Sequence, residues 1–312
     1  MDEKTLMIAG PTASGKSALA LAIAEAFGGV IINADSMQVY RDLHILSARP
    51  TPAEMAAQPH RLYGYLPAAE IGSAGRWRID AIAEIERAWS ADRLPIVVGG
   101  TGLYFRALTQ GLAPVPELPD DARQAAEAEM NRLGPIDFHR QLSRIDPVSA
   151  GRLAAGDRQR LVRAFAVHQA TGRSLADWQA ETAGGLNGRH MTVLLDPPRQ
   201  WLYQRADQRF DLMVTAGALA EVEALAARDL PQSLPVMKAL GVPHLLAYLG
   251  GEMAIEDAII KAKTMTRRYA KRQMTWFRHQ MPHGVRLGAQ DLERNTEEIF
   301  PKICDFLLTP AS

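Results

Sequence analysis

The chain has 312 residues, of which 47% are hydrophobic and 22% are charged, as in an ordinary globular protein. Lys plus Arg and Asp plus Glu each number 35, so an anionic partner must be bound by a local basic patch and not by net charge. The single cysteine, Cys304, excludes an internal disulfide and a cysteine-based zinc site. We find no secretory leader and no apolar run of the ~18 residues that a membrane span needs, and we expect a soluble, cytoplasmic protein.

A phosphate-binding loop follows the first predicted strand, 5–10. Its sequence, GPTASGKS, fits the pattern G-x-x-x-x-G-K-[ST] and precedes an Ala/Leu-rich helix predicted at 16–27. In this motif backbone N–H groups and the helix N-terminus bind the anion, Lys16 adds positive charge, and the Ser17 hydroxyl can ligate Mg²⁺. The residues of the loop are Gly10, Pro11, Thr12, Ala13, Ser14, Gly15, Lys16 and Ser17. The motif leaves open whether the phosphates belong to ATP or to a diphosphate leaving group.

Two polar residues follow the next buried strands, predicted at 29–35 and 94–100. Asp35 and Thr101 thereby reach the carboxyl edge of the sheet, where ligands lie in open parallel sheets. A carboxylate beside a phosphate cradle requires a metal or a proton to accept, and the alternative is a turn or N-cap aspartate. Thr101 can donate to a phosphate oxygen, or serve only in a turn. The strand predicted at 94–100 does not end in the acid that an ATPase uses to hold Mg²⁺ and activate water, and this disfavours phosphoryl transfer.

The alternation of strands and helices indicates an α/β fold with a parallel sheet covered on both faces. The proline-rich stretch 111–121 marks a boundary, and from about 120 to 183 only helical patterns occur. We therefore predict a P-loop NTPase-like catalytic core at 1–114 and 190–312, interrupted by an all-helical insertion domain at 115–189. The first part of the core also contains a helix predicted at 78–91. After the insertion the core resumes with strands predicted at 191–198 and 284–288 and helices at 199–216, 218–228, 234–249 and 254–281.

Clusters of basic residues occur in the second half of the chain. Arg205 and Arg209 are four apart and therefore share a helix face, to grip an anion or simply to be solvated. Residues 259–290 contain no acid, and we interpret their basic side chains as a track for a phosphate backbone, the alternative being a solvated face. The basic face of this helix comprises Lys263, Arg267, Lys271 and Arg278, roughly opposite Ala262, Met265, Tyr269 and Trp276, and a further cluster in the insertion comprises Arg158, Arg160 and Arg163.

Six segments resemble, in the same order, the bacterial tRNA dimethylallyltransferases of the IPP transferase family, which prenylate an adenosine beside the anticodon. Together they extend over nearly the whole chain and are highly specific for the family. The segments are GPTASGKS, NADSMQVYRDL, VGGTGLYFRAL, GDRQRLVRA, QRADQRF and KRQMTWFRHQ.

The resemblance implies that the loop holds the diphosphate of dimethylallyl diphosphate, with Mg²⁺ near Ser17 and with Thr101, Arg209 and Arg205 completing the grip. It implies that Asp35 contacts the acceptor amine as general base and that the protein acts on tRNA. We expect a monomer, and ATP should at most compete for the loop because no metal-binding acid follows the strand predicted at 94–100. The tRNA contacts that it implies are Asp35, Ser36, Met37, Gln38, Thr101, Arg123, Gln159, Arg160, Leu161, Val162, Arg163, Lys271, Arg272, Gln273, Met274, Thr275, Trp276, Phe277 and Arg278.

The chain departs from the family pattern in two places. Where many members read GMDIGTAKP, this chain reads DLHILSARP, with Arg49 in place of the usual lysine. Where members commonly read AIGYREL, it reads ALGVPHLL, with Val242 and Pro243 replacing a tyrosine and a basic residue. Family contacts at 42–49 and 242–244 are therefore left unassigned.

Three other functions are weighed against tRNA prenylation. A free adenine-nucleotide prenyltransferase of the cytokinin type shares the P-loop chemistry but needs neither the insertion nor the basic helix. A P-loop kinase or ATPase would consume ATP. A nonenzymatic RNA-binding protein would leave Asp35 and the P-loop without a purpose. Transfer of a prenyl group from an allylic diphosphate to an amine uses both the P-loop and Asp35. Negative charge builds on the leaving diphosphate, which the loop binds, while the amine loses a proton, which Asp35 can accept.

Overall fold

The computed structural model describes residues 3–288 and 290–310. Six strands form one parallel sheet, and two further strands form a short antiparallel pair. The strands are β1 (Lys4–Ala9), β2 (Gly29–Asn33), β3 (His60–Arg61), β4 (Leu94–Gly99), β5 (Gly111–Leu112), β6 (Ala183–Gly184), β7 (Arg189–Leu195) and β8 (Val285–Leu287). The order across the sheet is β3-β2-β4-β1-β7-β8.

The described chain divides into two compact units. One contains the residues up to Leu108 and from Asn187 onward, and the other is Thr109–Leu186. The helices up to the second unit are α1 (Lys16–Phe27), α2 (Pro52–Ala57), α3 (Ala74–Ser90) and α4 (Gly102–Gln110). Those within it are α5 (Asp120–Ile145), α6 (Pro147–Arg152), α7 (Arg158–Thr171) and α8 (Leu175–Ala180). Those after it are α9 (Arg199–Thr215), α10 (Ala218–Ala226), α11 (Val242–Leu249), α12 (Ile255–Gln280) and α13 (Leu292–Leu308).

The predicted parallel sheet with helices on both faces is confirmed. Strands β1, β2 and β4 are buried along their whole length, as their apolar runs require. Successive side chains point to opposite faces of a strand, and on one face Leu6 and Ile8 pack with Leu19 of α1 and Ile299 of α13. The indole of Trp77 in α3 donates to the carbonyl of the last β2 residue at 2.7 Å, which fastens α3 to the sheet.

The second unit has a hydrophobic core of its own. Phe138 and Phe165 lie with their ring centroids 4.9 Å apart, inside a cluster that includes Leu142 and Leu161. Helix α5 is broken at Gly134, whose φ of 74° lies in the left-handed region that glycine adopts without strain. The unit also contains the antiparallel strand pair β5–β6, in which Gly111 pairs with Gly184. The prediction of an all-helical insertion did not include this pair.

Some elements differ from the predictions because they depend on contacts distant in sequence. Strand β3 has two residues and helix α13 follows a short connection after β8, and neither was predicted. The helix predicted at 234–249 is two elements, a 3₁₀ helix at Pro235–Lys238 and α11, separated at Gly241 with φ 94°. Within residues 3–288 and 290–310, no helix is both long and apolar enough to cross a membrane.

Candidate active site

The ends of three neighbouring strands bring the predicted site together. The phosphate-binding loop follows β1, Asp35 follows β2, and Thr101 follows β4, which lies between those two strands. The Thr101 N–H donates to the Ala34 carbonyl at 3.2 Å, and the Ser36 N–H donates to the Thr101 hydroxyl at 2.9 Å. A Cβ atom at Gly99 would lie 2.0 Å from the Ala34 carbonyl oxygen, so glycine is required for this approach.

Asp35 is held by its own backbone neighbours. Asn33 Oδ1 accepts from the Asp35 N–H at 2.8 Å, and Asn33 Nδ2 donates to the Asp35 carbonyl at 3.0 Å. The carboxylate Oδ1 of Asp35 accepts from the Met37 N–H at 2.9 Å, which closes an Asx turn. The described residues give the second oxygen, Oδ2, no hydrogen-bond partner. One oxygen therefore fixes the carboxylate and the other can act on a ligand.

The phosphate-binding loop has the backbone conformation that its sequence predicts. Gly15, with φ 95°, is the N-cap of α1 and lies in the left-handed region. A Cβ atom at Gly10 would lie 2.9 Å from the Leu195 carbonyl oxygen of β7. Lys16 Nζ donates to the Pro11 carbonyl at 2.7 Å, so its ammonium group is already folded back over the loop.

Three charges lie within electrostatic reach of one another. Burial lowers the pKa of Lys16 to about 8, the negative charge of Asp35 opposes this, and the positive charge of Arg209 adds to it. Burial likewise lowers the pKa of Arg209, against the effect of Asp35 and with that of Arg205. Arg209 Nη1 reaches Thr12 Oγ1 of the loop at 3.5 Å. Arg205 is exposed, and its guanidinium group stacks on the ring of Trp201, one turn earlier in α9, at 4.8 Å from the ring centroid. The structure therefore gathers the charged residues predicted to grip a diphosphate.

The predicted Mg²⁺ ligand of the loop is the Ser17 hydroxyl. The Ser17 side chain is exposed in the first turn of α1, and the described residues contain no group of three or more His, Cys, Asp or Glu that could hold a metal. Asp196, at the end of β7, is engaged by Arg278 at 2.9 Å and lies 3.6 Å from Arg286. Mg²⁺ retains several waters and needs only one or two protein ligands beside phosphate oxygens, so the site fits an ion that arrives with a diphosphate.

The basic face of α12 is largely neutralised by acids from other elements. Residues 259–290 lack acids of their own, but α9 and the end of β7 supply them. The pairs are Lys263–Asp211 at 2.6 Å, Arg267–Asp207 at 2.6 Å and Arg278–Asp196 at 2.9 Å. Among the described residues Lys271 has no ion pair, and it is exposed. Three of the four residues of this face are therefore paired within the protein, and their role as a track for a phosphate backbone stays a prediction.

The buried face of α12 also differs from the predicted one. Of the four residues expected to pack on the core, Ala262 is buried, whereas Met265, Tyr269 and Trp276 are only half-buried. The helix is buried instead along Ala258, Ala262, Thr266, Ala270, Gln273, Met274 and Phe277. Of the predicted tRNA contacts in this helix, the exposed ones are Lys271, Arg272, Thr275 and Arg278.

The predicted tRNA contacts of the insertion are of two kinds. Gln159, Arg160 and Arg163 are exposed, whereas Leu161 and Val162 are in the core of the insertion, so their side chains serve its packing. Partial burial and then the nearby charge of Arg123 lower the pKa of Arg163, which shows that these two predicted residues lie close together. Arg160 is paired with the N-cap aspartate of α7.

The segment that departs from the family pattern is tied to a distant helix. The Glu221 carboxylate of α10 accepts from three successive backbone N–H groups, those of His44 at 2.5 Å, Ile45 at 2.8 Å and Leu46 at 2.9 Å. Gln38, a predicted tRNA contact, uses its amide Nε2 to donate to two carbonyls of the same segment. The sequence around Glu221 gave no signal for this role, because its partners lie more than 170 residues away.

Tyr269 is a further side chain of the site that the sequence did not single out for a role there. Burial and then the charge of Asp35 raise its pKa, while hydrogen bonds with Thr101 and Gln273 act in the opposite direction. The raised pKa keeps the phenol protonated and hydrogen-bonded with Thr101, the residue that orients the segment after β2. No local pattern distinguishes this tyrosine from one that packs in the core.

A parallel α/β sheet, a phosphate-binding loop after β1 and a carboxylate after β2 at the same edge of the sheet define a protein of the P-loop class. Sequence comparison identifies the family. The profile described as IPP transferase matches residues 38–280, and that described as isopentenyl transferase matches residues 3–67. The chain belongs to the IPP transferase family, and the resemblance seen in its motifs is confirmed.

Similarity to individual proteins extends over nearly the whole chain. The tRNA dimethylallyltransferase of Paramagnetospirillum magneticum is 51% identical over 305 residues, 97% of each chain, and that of a Bradyrhizobium species is 53% identical over 283 residues, 90% of this chain and 92% of its own. The crystal structure of the full-length tRNA isopentenylpyrophosphate transferase of Bacillus halodurans superposes with a TM-score of 0.71 at 32% identity, covering 97% and 96% of the two chains. A eukaryotic dimethylallyltransferase acting on tRNA superposes with a TM-score of 0.84 at 27% identity, covering 99% of this chain and 81% of its own.

Proposed function

We propose that this protein transfers the dimethylallyl group of dimethylallyl diphosphate to the exocyclic amine of the adenosine 3′ of the anticodon in tRNA. The observation that carries the proposal is the position of Asp35, which is fixed through one carboxylate oxygen at the end of β2, beside the P-loop that follows β1. A carboxylate at this place repels the phosphates of a donor, a cost that is explained if the carboxylate has a proton to accept. Prenylation of an amine supplies such a proton, whereas simple nucleotide binding does not.

The donor half of the reaction rests on the loop. As the allylic C–O bond breaks, negative charge accumulates on the diphosphate, and groups aimed at that charge lower the barrier most. Backbone N–H groups of the loop, Lys16 and Arg209 are the groups that this chain offers. Mg²⁺ near Ser17 would supply further neutralisation of the leaving group.

The acceptor half rests on Asp35 and Thr101. The adenine amine is a weak nucleophile and loses a proton as the C–N bond forms, so a carboxylate that accepts this proton or aligns the amine accelerates the step. The Asx turn holds Oδ1, which leaves Oδ2 to face the amine. Because the amine lies within a stacked anticodon loop, the base must leave its stack to reach the strand ends.

Binding of tRNA rests, in this proposal, on exposed residues of α12 and of the insertion. Lys271, Arg272 and Thr275 lie on the exposed side of α12, and Arg123 and Arg163 lie together in the insertion. Each lysine or arginine that meets a phosphate contributes to a salt-dependent affinity. The proposal includes action as a monomer in the cytoplasm, where tRNA is modified.

One observation weighs against a kinase or ATPase. Such an enzyme needs a free acid near the P-loop to hold Mg²⁺ and activate water. Strand β4, next to the loop, ends in glycines and not in an acid, and Asp196 at the end of β7 is engaged by arginines, which leaves Asp35 as the one aspartate at these three strand ends with a free carboxylate oxygen among the described residues. A prenyltransferase needs only a proton acceptor, which Asp35 remains.

The proposal is tested by mass spectrometry of the nucleosides of tRNA incubated with the purified protein, Mg²⁺ and dimethylallyl diphosphate, with and without ATP. We expect prenylated adenosine without ATP, and ATP should at most compete with the donor. A parallel reaction offers AMP in place of tRNA. A strict requirement for ATP hydrolysis would refute the assignment, and faster prenylation of AMP than of tRNA would establish the free-nucleotide alternative.

A further inference from the structure

One amide side chain of α12 connects the two loops on which the site is built. Gln273 is 5% exposed. Its Oε1 accepts from the Thr12 N–H of the phosphate-binding loop at 2.8 Å, and its Nε2 donates to the Gly100 carbonyl after β4 at 2.8 Å. Both hydrogen-bonding functions of the amide are thus used inside the protein.

The bond to Thr12 takes one backbone donor of the cradle out of use. Phosphate-binding loops bind their anion through successive backbone N–H groups, yet the Thr12 N–H already has a buried partner. The neighbouring Ala13 has a φ of 63°, which costs a non-glycine residue free energy unless its surroundings hold it there. Gln273 is therefore placed to hold the loop in this conformation, one residue before the strained position.

The packing of α12 supports the same role. Ala13 packs in a small cluster with Ala270 and Met274, the residues before and after Gln273 on the buried side of the helix. A Cβ atom at Gly100 would lie 2.2 Å from Gln273 Nε2, so this glycine makes room for the amide. The backbone of Gly100 does not have a positive φ, so a side chain there would act on Gln273 and not on the local conformation.

We infer that Gln273 is a positioning residue of the donor cradle and not a contact to tRNA. It fixes the Thr12 peptide, so that the N–H groups after it are oriented to receive the diphosphate before the donor arrives. The identity of that diphosphate rests on the proposed function, but the inference about the cradle holds for any diphosphate.

The test replaces Gln273 by methionine, which has a similar volume and neither hydrogen bond. The change leaves the Thr12 N–H and the Gly100 carbonyl without partners and allows the loop to relax. The probe is inorganic pyrophosphate with Mg²⁺, titrated by calorimetry, and tRNA affinity is measured separately by fluorescence anisotropy. We expect the Kd for pyrophosphate to rise about five- to one-hundred-fold, the effect of leaving a buried polar group unpaired, while the Kd for tRNA changes less than about twofold.

Three further variants separate positioning from general stability and from tRNA contact. Thr266→Val removes a buried side-chain hydrogen bond to the Ala262 carbonyl in the same helix, about two turns before Gln273, and should leave pyrophosphate binding unchanged. Arg272→Ala, on the exposed side, should weaken tRNA and not pyrophosphate. Gly100→Ala, which displaces the Gln273 amide, should weaken pyrophosphate as Gln273→Met does, and it provides the test if Gln273→Met does not fold.

The outcomes are distinct. Loss of pyrophosphate affinity in Gln273→Met and Gly100→Ala, with melting temperatures no lower than that of Thr266→Val, supports the inference. Unchanged pyrophosphate affinity overturns it, and a selective loss of tRNA affinity would assign Gln273 to tRNA recognition. Because pyrophosphate binding requires no prenyl transfer, a failure of the wild-type protein to prenylate tRNA would refute the proposed function alone.

Discussion

Replacing Asp35 by asparagine separates its chemical role from its structural one. Asp35 Oδ1 accepts from the Met37 N–H at 2.9 Å, and an asparagine Oδ1 can accept the same hydrogen bond. Asp35→Asn therefore keeps the turn and loses only the negative charge and the proton acceptor. Asp35→Ala loses the turn as well, so the pair of variants measures the two contributions separately.

The expected magnitudes differ enough to be distinguished. A general base contributes about 100- to 10,000-fold to a rate, which corresponds to about 3–5 kcal/mol of barrier. The loss of one turn hydrogen bond costs about 0.5–1.5 kcal/mol of stability. Asp35→Asn should thus lower the single-turnover rate by at least two orders of magnitude at nearly wild-type stability, and Asp35→Ala should add a modest loss of stability to the same loss of rate.

The charge of Asp35 also acts on the donor site, which provides a second readout. The carboxylate raises the pKa of Lys16 against the effect of burial, and the balance lies at about 8. Without the carboxylate the pKa of Lys16 falls below that value, and donor binding should begin to weaken at a lower pH than in the wild type. At pH 7 donor affinity should hold steady or increase, because a negative charge beside the diphosphate has been removed.

The assay is prenylation in a single turnover at saturating tRNA and donor, followed by mass spectrometry, with a thermal melt of each variant. Donor affinity is measured from pH 6.5 to 9, a range chosen to bracket a pKa of about 8. Wild-type single-turnover rates for Asp35→Asn would refute the reasoning and assign the proton to water or to another group. A slow Asp35→Asn that also melts early would show that the turn depends on the charge.

Three further predictions concern tRNA, donor and insertion. Lys271→Ala should reduce the slope of log Kd for tRNA against log salt concentration by about 0.7–0.9. Arg278→Ala should reduce this slope less, because its guanidinium group is engaged by Asp196. Equal slopes for the two variants in anisotropy titrations would contradict this prediction. The donor KM should rise above pH ~8 as Lys16 loses its proton and should stay flat there in Lys16→Arg, whose guanidinium remains charged. Leu161→Ala should destabilise the insertion by about 2–5 kcal/mol in denaturant melts, because its side chain is in the core of the insertion. Wild-type stability together with weakened tRNA binding would instead indicate a direct tRNA contact.

The parts of the site that depend on strand ends could be predicted from sequence. Apolar runs mark β1, β2 and β4 locally, and the residues after the ends of parallel strands lie at one edge of the sheet. That rule alone brings Asp35 and Thr101 to the edge that holds the phosphate-binding loop. The loop itself is predictable because its glycines and Lys16 occur at fixed spacings that a backbone cradle requires.

The orientation of α12 could not be predicted in the same way. A helical wheel built on charge places Lys263 and Arg267 toward solvent, but both find acids on α9, which is distant in sequence. The buried side is marked instead by small residues such as Ala262 and Ala270, which allow close packing and carry little hydrophobic signal. A pattern based on apolar side chains predicts that a polar residue such as Gln273 is exposed. Its hydrogen-bond partners are backbone groups of two other segments, which such a pattern does not include.

The position of β1 in the sheet has a consequence for biosynthesis. β1 lies between β4 and β7, and β7 leaves the ribosome only after the whole insertion has been made. During that interval one side of β1 presents unpaired backbone groups, an edge on which nascent chains can associate with one another. The pairing of Gly111 with Gly184 brings the two ends of the insertion together. If the insertion folds as it emerges, the length of flexible chain that separates β7 from β1 is shortened, which lowers the entropic cost of pairing them. It also shortens the time for which the free edge of β1 is unpaired.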